Sequence, residues 1–234
     1  MSWNAKKVAE GQRELVLKEL QRPLHEIPPY KQLVTVLRAE FPEQFLFGQG
    51  IEGFSICDIG CGVGHYGEVL HRELGDICWS GYDASPEMIV ATVKKNNCMD
   101  SLPCVWDIEQ PEDLENIPDT MVFADVILMS GLLEFLVNPG KTIETWMNCF
   151  KEEADPYHPK DRTFIIHRIR TDLPVGHAET EMVYGEPAPR VGLSPGLVAG
   201  WFIDGIEKAG WKLNAVHVYR YDKDKYTVVI KTRG

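Results

Sequence analysis

The chain has 234 residues, of which 44% are hydrophobic and 25% are charged, as in an ordinary globular protein with one sizeable core. Its 35 acidic residues outnumber 24 lysines and arginines, giving a formal net charge of −11. This excess disfavours nucleic-acid and anionic-membrane partners, because both are bound mainly through basic surfaces.

Targeting and redox signals point to a cytoplasmic protein. The first 20 residues mix charged and apolar side chains, and no apolar run approaches the ~18 residues of a membrane span. The six cysteines contain no Cys-x-x-Cys pair. We therefore expect reduced thiols and no structural metal site.

The first 50 residues read as helical. Apolar residues at positions 30, 33, 34, 37 and 41 share one helix face, between prolines at 28–29 and 42. A less regular helix is expected from about Asn4 to Leu20. Residues 1–50 are therefore predicted to form a helical cover.

From Phe54 onwards the pattern predicts alternating strands and helices. The predicted strands are 54–59, 77–82, 103–106, 121–129, 163–169, 213–219 and 226–231. The turn 220–225 is too short for a crossover helix, so the last two strands must be antiparallel. We predict an α/β fold, with a doubly wound, mostly parallel seven-stranded sheet and an antiparallel C-terminal hairpin strand. It would occupy residues 51–234, with an irregular, substrate-side insert at 171–193.

A glycine-rich segment, Gly60-Cys61-Gly62-Val63-Gly64, lies between the first predicted strand and a helix. Glycines there permit a tight turn and close approach of a ligand to the backbone. The overlapping Gly62-Val63-Gly64-His65-Tyr66-Gly67 also matches the dinucleotide fingerprint. Two nucleotide-type ligands therefore compete for this loop.

Three acidic residues lie at or near the ends of predicted strands: Asp58, Asp83 and Asp107. In a doubly wound sheet these ends lie at one edge. Asp58 would repel a pyrophosphate but attract an ammonium group. Asp83 suits two ribose hydroxyls, and Asp107 suits an adenine amino group, although each could simply cap a helix or turn.

These residues, with the fourth strand Ala124-Asp125-Val126-Ile127-Leu128-Met129-Ser130, resemble the class I S-adenosylmethionine-dependent methyltransferases. The resemblance covers residues 54–231 except 171–193. It implies S-adenosylmethionine as cofactor and S-adenosylhomocysteine as product. It assigns the methionine end to Asp58, Gly60, Cys61, Gly62 and Gly64, the ribose to Asp83 and Ala84, and the adenine to Asp107 and Ile108, with Ser130 also facing the cofactor.

The acceptor side is less well marked. His167 on the fifth strand, Glu134 after the fourth, and His177 in the insert are candidate catalytic residues. Tyr30, His25, Tyr184 and Arg190 are candidate substrate contacts. Packing, helix capping or a solvated loop would account for these residues equally simply, and no carboxylate cluster suggests a metal.

We predict a methyltransferase that acts on O or N of a small-molecule acceptor. Alternatives are methylation of a protein or RNA, a NAD-type oxidoreductase that uses residues 62–67, and a non-catalytic scaffold that binds the cofactor. The sequence does not determine the acceptor or the oligomeric state.

Overall fold

This computed structural model describes residues 28–45, 54–75, 77–95, 103–153, 161–171 and 193–233. The chain divides into two compact units at the junction between Trp106 and Asp107. The predicted helix near residues 4–20 lies outside the described residues.

The described part of the first unit contains helices and three strands. Its elements are α1 (Pro28–Glu40), α2 (Pro42–Phe45), β1 (Ser55–Ile59), α3 (His65–Leu74), β2 (Cys78–Asp83), α4 (Pro86–Lys95) and β3 (Cys104–Val105). β1 pairs with β2, and β2 with β3, in parallel. Because parallel strands end on the same side, the loops after β1 and β2 are neighbours.

The second unit contains the remaining four strands. Its elements are α5 (Pro111–Leu114), α6 (Asp119–Val122), β4 (Val126–Ser130), a 3-10 turn (Leu133–Phe135), α7 (Pro139–Glu153), β5 (Thr163–Arg170), α8 (Pro195–Lys208), β6 (Lys212–Asp222) and β7 (Lys225–Arg233). β4 and β5 are parallel, whereas β7 is antiparallel to both β5 and β6.

The seven strands belong to one mixed sheet in the order β3-β2-β1-β4-β5-β7-β6. The predicted α/β class, the seven strands and the antiparallel C-terminal hairpin are therefore confirmed.

Two helices of the fold begin where serine and proline adjoin. The Met88 N–H donates to Ser85 Oγ at 3.3 Å before α4, and the Leu197 N–H donates to Ser194 Oγ at 3.1 Å before α8. Each serine thereby satisfies one of the unpaired N–H groups at a helix start, and the proline that follows is preset for a helix.

The prediction for the fourth strand was wrong at its start. Met121 and Val122 belong to α6, and the strand begins only at Val126. Both residues are buried, and a short buried apolar run does not by itself distinguish helix from strand. The hairpin was predicted too short, since its turn is only Lys223 and Asp224. β6 extends through polar residues up to Asp222. Because this strand is largely exposed, polar side chains are tolerated in it and do not mark its end.

An aromatic group forms the centre of the second unit. The Phe164 ring lies 5.9 Å from Trp146, 5.8 Å from Phe202 and 6.2 Å from Trp211, measured between ring centroids. Trp146, Phe164 and Phe202 are fully buried. Such rings dominate core energetics because each buries a large apolar area, and here they pack α7 and α8 onto β5.

Two glycines in α8 provide a matched test of this packing. A Cβ at Gly205 would lie 3.1 Å from Cγ of the fully buried Met147, whereas one at Gly200 would meet no described atom within 4 Å. We expect Gly200→Ala to raise the free energy of unfolding by about 0.5–1 kcal/mol. Gly205→Ala should lower it, because overpacking costs about 1–3 kcal/mol. Urea denaturation measures both values, and an equal gain from the two substitutions would refute the packing account.

Candidate functional site

The loop between β1 and α3 turns on three glycines with left-handed backbone conformations. The φ angle is 76° at Gly60, 56° at Gly62 and 71° at Gly64, where a residue with a Cβ pays roughly 1–2 kcal/mol. The Gly60 and Cys61 N–H groups donate to the Tyr82 carbonyl at 2.7 and 3.0 Å. The glycine segment thus forms a tight turn that is attached to the end of β2.

Asp83, the last residue of β2, connects this glycine loop to the segment before α4. Its Oδ2 accepts from the Gly62 N–H at 2.9 Å, and its Oδ1 accepts from the Ser85 N–H at 2.9 Å. Bonds to a charged carboxylate contribute more than neutral ones. Each oxygen can accept more than one bond, so Asp83 can hold the loop and still accept from a bound hydroxyl.

The outer side of the loop is open at Gly62. No described atom lies within 4 Å of the position that a Cβ would take there. The Gly62 carbonyl is held from the other side by Thr92, whose Oγ1 lies 2.8 Å away. A fixed backbone with an open outer side fits a ligand that contacts the peptide atoms directly.

Asp58 lies on β1 with none of its surface exposed. Within the described part of the chain, neither carboxylate oxygen has a well-formed hydrogen bond. The pKa of Asp58 is raised to about 8, mainly by burial. The nearby Trp79 indole N–H opposes this increase, and the negative charge of Asp83 adds to it. Because a buried carboxylate is stabilised by a nearby cation, Asp58 fits a ligand with an ammonium group.

Two buried thiols flank Asp58. Burial raises the pKa of both Cys57 and Cys61, and the charge of Asp58 raises each further. Because thiolates are the reactive form of cysteine, these protonated thiols are unreactive. Cys61 therefore serves the glycine loop as a small apolar residue.

Tyr30, a predicted substrate contact, is buried in the first unit. Its ring centroid lies 4.7 Å from Tyr66 and 6.0 Å from His65, both on α3 directly after the glycine loop. These edge-on contacts pack α1 against α3. The geometry accounts for Tyr30 by packing, and a substrate contact stays a prediction.

Asp107, at the start of the second unit, closes a turn. Its N–H donates to Asp113 Oδ2 at 2.8 Å, and its Oδ1 accepts from the Glu109 N–H at 2.9 Å. Burial raises the pKa of Asp107, and the hydrogen bonds from Glu109 and Gln110 lower it. The next residue, Ile108, is buried. Turn formation accounts for Asp107 locally, and adenine binding by this pair stays a prediction.

Ser130, the last residue of β4, lies opposite His167, which is three residues before the end of β5. The Gly131 N–H donates to the His167 carbonyl at 3.0 Å, and His167 Nδ1 lies 2.7 Å from Thr227 Oγ1. His167 is 1% exposed. The Ser130 Oγ is buried and has no hydrogen-bond partner among the described residues.

Glu134 and Arg168 converge above Gly131. The position that a Cβ would take on Gly131 is 3.4 Å from Glu134 Oε1 and 3.9 Å from Arg168 Cζ. Arg168 has a φ of 59°, left-handed for a residue with a side chain, where β5 shifts register against β7. Such a conformation costs of order 1–3 kcal/mol and occurs often at functional sites.

The sequence prediction missed Arg168, Tyr221 and Thr227. The Tyr221 ring stacks on His167, with centroids 5.4 Å apart and planes 29° from parallel. Only the β6–β7 hairpin brings Tyr221 to β5, so no local motif marks it. We use the name strand-end cluster for these residues of the second unit: Ser130, Glu134, His167, Arg168, Tyr221 and Thr227.

Four predicted residues, His25, His177, Tyr184 and Arg190, lie outside the described residues. Within the described ranges, no group of three histidines, cysteines or acids is placed to hold a metal ion.

Comparison with known proteins identifies the family. A family model described as a methyltransferase domain matches residues 13–156, more than half of the chain. None of the curated proteins compared with the chain matches its sequence.

Solved structures share the fold at low sequence identity. The magnesium protoporphyrin IX methyltransferase of Synechocystis PCC 6803, with bound S-adenosylhomocysteine, is 16% identical, with 87% of this chain and 81% of that chain covered and a TM-score of 0.52. An S-adenosylmethionine-dependent methyltransferase from Mesorhizobium loti is 15% identical, with 91% and 100% covered and a TM-score of 0.54.

A complex between the Trm112 methyltransferase activator of Haloferax volcanii and a methyltransferase also matches. It is 15% identical, with 98% of both chains covered and a TM-score of 0.54.

Two nucleotide-type ligands were compatible with the glycine loop. The family match favours S-adenosylmethionine over a nicotinamide dinucleotide, and therefore a methyltransferase over a NAD-type oxidoreductase. The chain belongs to the methyltransferase domain family and is a class I S-adenosylmethionine-dependent methyltransferase.

Proposed function

We propose that this enzyme methylates O or N of a small-molecule acceptor. The strand-end cluster carries the proposal, because its polar residues Ser130 and His167 are buried side by side on β4 and β5. A small molecule can reach buried polar side chains more readily than a folded polymer can. The net charge of −11 also disfavours RNA as the acceptor.

The first unit is proposed to hold most of the cofactor. S-adenosylmethionine supplies an activated sulfonium methyl group for in-line displacement. Asp58 is proposed to face its ammonium group, with Gly60, Cys61, Gly62 and Gly64 around the methionine end. Asp83 and Ala84 are proposed to bind the ribose. The left-handed turn, the open side of Gly62 and the buried Asp58 support these roles.

Three residues of the second unit are assigned to the cofactor by resemblance alone. Asp107 and Ile108 are proposed to recognise adenine, and Ser130 to face the cofactor. Asp107 already accepts from the Glu109 N–H, and its carboxylate can accept further bonds.

Catalysis is proposed to depend chiefly on orientation and exclusion of water, which together reach about 7–11 kcal/mol in well-oriented reactions. A base is needed only if the acceptor loses a proton. His167 and Glu134 are proposed for that role because both belong to the strand-end cluster, and His177 remains a further candidate. The irregular segment 171–193 and residues 1–50 are proposed to cover the acceptor.

We also propose a cytoplasmic location. Cys57, Cys61, Cys78, Cys104 and Cys149 carry free thiols, as expected in a reducing compartment. Across the described ranges, every helix is too short or too polar to span a membrane.

Asp83 provides a direct test of cofactor binding. We expect Asp83→Ala to weaken binding of S-adenosylhomocysteine by at least about tenfold, because it removes both the ribose acceptor and the anchor of Gly62. Glu73→Gln on the exposed surface is the control and should bind normally. Isothermal titration calorimetry measures both affinities, and an unchanged affinity in Asp83→Ala would reject the assignment.

The raised pKa of Asp58 predicts that both stability and cofactor affinity depend on pH. Its pKa of about 8 in the free protein exceeds the ordinary value of about 3.9. The folded state therefore holds a proton that the unfolded state has lost, and stability falls as pH rises through that window. An ammonium group beside Asp58 would lower its pKa, so binding should release a proton and strengthen as pH rises towards 8.

Calorimetric titration with S-adenosylhomocysteine across this pH range measures the effect. Asp83, Cys57 and Cys61 also surround Asp58, so Asp58→Asn is the variant that isolates its contribution. The slope of affinity against pH should flatten in that variant. A slope that Asp58→Asn leaves unchanged would refute the pairing with an ammonium group.

Methyl-labelled cofactor tests the acceptor class. The enzyme is incubated separately with small-molecule, protein and RNA fractions of a cell extract, and we expect label in the small-molecule fraction. His167→Gln should slow that labelling by roughly a hundredfold, because it removes the proposed base, while binding S-adenosylhomocysteine normally. Label found only in protein or RNA would overturn the proposed acceptor.

A further inference from the structure

Two hydroxyl groups of the strand-end cluster are buried without a hydrogen-bond partner among the described residues. They are Ser130 Oγ and Tyr221 Oη. Both belong to residues that adjoin His167: Ser130 is its register partner across β4 and β5, and Tyr221 stacks on its ring. Buried hydroxyls are nearly always hydrogen-bonded in native proteins, so this pair points to a polar ligand.

Arg168 brings a positive charge to the same place. Its guanidinium carbon lies 3.9 Å from the Cβ position of Gly131, the residue that follows Ser130. Burial raises the pKa of Tyr221 to about 12. Among the neighbouring charges, Arg168 has the largest effect and lowers this pKa, whereas Asp222 and Glu134 raise it by less. The phenol therefore stays protonated at neutral pH and can donate a hydrogen bond towards an anion.

We propose that Ser130, Tyr221 and Arg168 form the acceptor-binding subsite and that the acceptor carries a carboxylate that anchors it there. The inference rests on the proposed function, whose acceptor it describes more closely. Two hydroxyls and a guanidinium together offer several donors, and a carboxylate has about four acceptor positions. Glu134 Oε1 lies 3.4 Å from the same Cβ position of Gly131, so its negative charge would disfavour a second anionic group there.

The left-handed backbone at Arg168 supports this role. A φ of 59° at the register shift of β5 breaks the regular alternation of the strand, and the guanidinium lies beside the loop after β4. Arg170, two residues further along β5, has no such conformation. Its charge also lowers the pKa of Tyr221, but less than that of Arg168 does, so Arg170 serves as a control of the same charge at a less favourable position.

Fluorine NMR with three probes of one ring size tests the subsite. The probes are para-fluorobenzoate, para-fluorophenol and para-fluorobenzylamine, each titrated into the complex with S-adenosylhomocysteine. We expect para-fluorobenzoate to bind tightest. Tyr221→Phe and Ser130→Ala should each weaken it about tenfold, the effect of one lost hydrogen bond to a charged group. Tyr219→Phe, on the same strand, should leave its affinity unchanged.

Arg168→Gln should remove the preference for para-fluorobenzoate over para-fluorophenol, whereas Arg170→Gln should preserve it. Tighter binding of para-fluorobenzylamine, no binding of para-fluorobenzoate, or equal loss in Tyr221→Phe and Tyr219→Phe would overturn the inference. Calorimetry with S-adenosylhomocysteine on the unsubstituted enzyme separates this failure from that of the proposed function. Absence of cofactor binding would reject the proposed function, whereas normal cofactor binding without the preference for para-fluorobenzoate would reject only the subsite.

Discussion

The carboxylate of Asp83 bonds to the N–H groups of Gly62 and Ser85, and the geometry of the glycine loop depends on these two contacts. They hold a loop of three left-handed glycines at the end of β2, so the turn is formed before any ligand arrives. A preformed site avoids the entropic cost of ordering the loop on binding. The same side chain is proposed to receive the ribose, which would couple loop geometry to nucleoside recognition.

Charge explains why this loop would select a cationic ligand. Asp58 is wholly buried on β1, and its pKa is raised by that burial to about 8. A phosphate-rich ligand would add negative charge beside two acids, whereas an ammonium group would stabilise Asp58 in its ionised form. Two of the many acidic residues of the chain, Asp58 and Asp83, thus have proposed roles in binding a cationic cofactor.

Features that depend on neighbouring residues could be predicted from the sequence, and those that depend on distant pairing could not. Glycine spacing and the position of Asp83 at a strand end are local, and the structure places both as expected. Tyr221 approaches His167 only because β7 pairs with both β5 and β6. The strained Arg168 arises at a register shift that no periodicity reveals. The start of β4 was misplaced because Met121 and Val122 are as apolar in a helix as in a strand.

The two halves of the proposed chemistry therefore differ in how they are encoded. The proposed cofactor site is marked by a glycine motif and strand-end acids that resemble a large family, whereas the proposed acceptor subsite combines residues of β4, β5 and β6. A crystal structure of the complex with S-adenosylhomocysteine tests the central claim most directly. The account predicts that the ribose hydroxyls bond to the Asp83 carboxylate while the Gly62 and Ser85 N–H groups remain bonded to it. A ribose bound elsewhere, or a glycine loop released from Asp83, would contradict it.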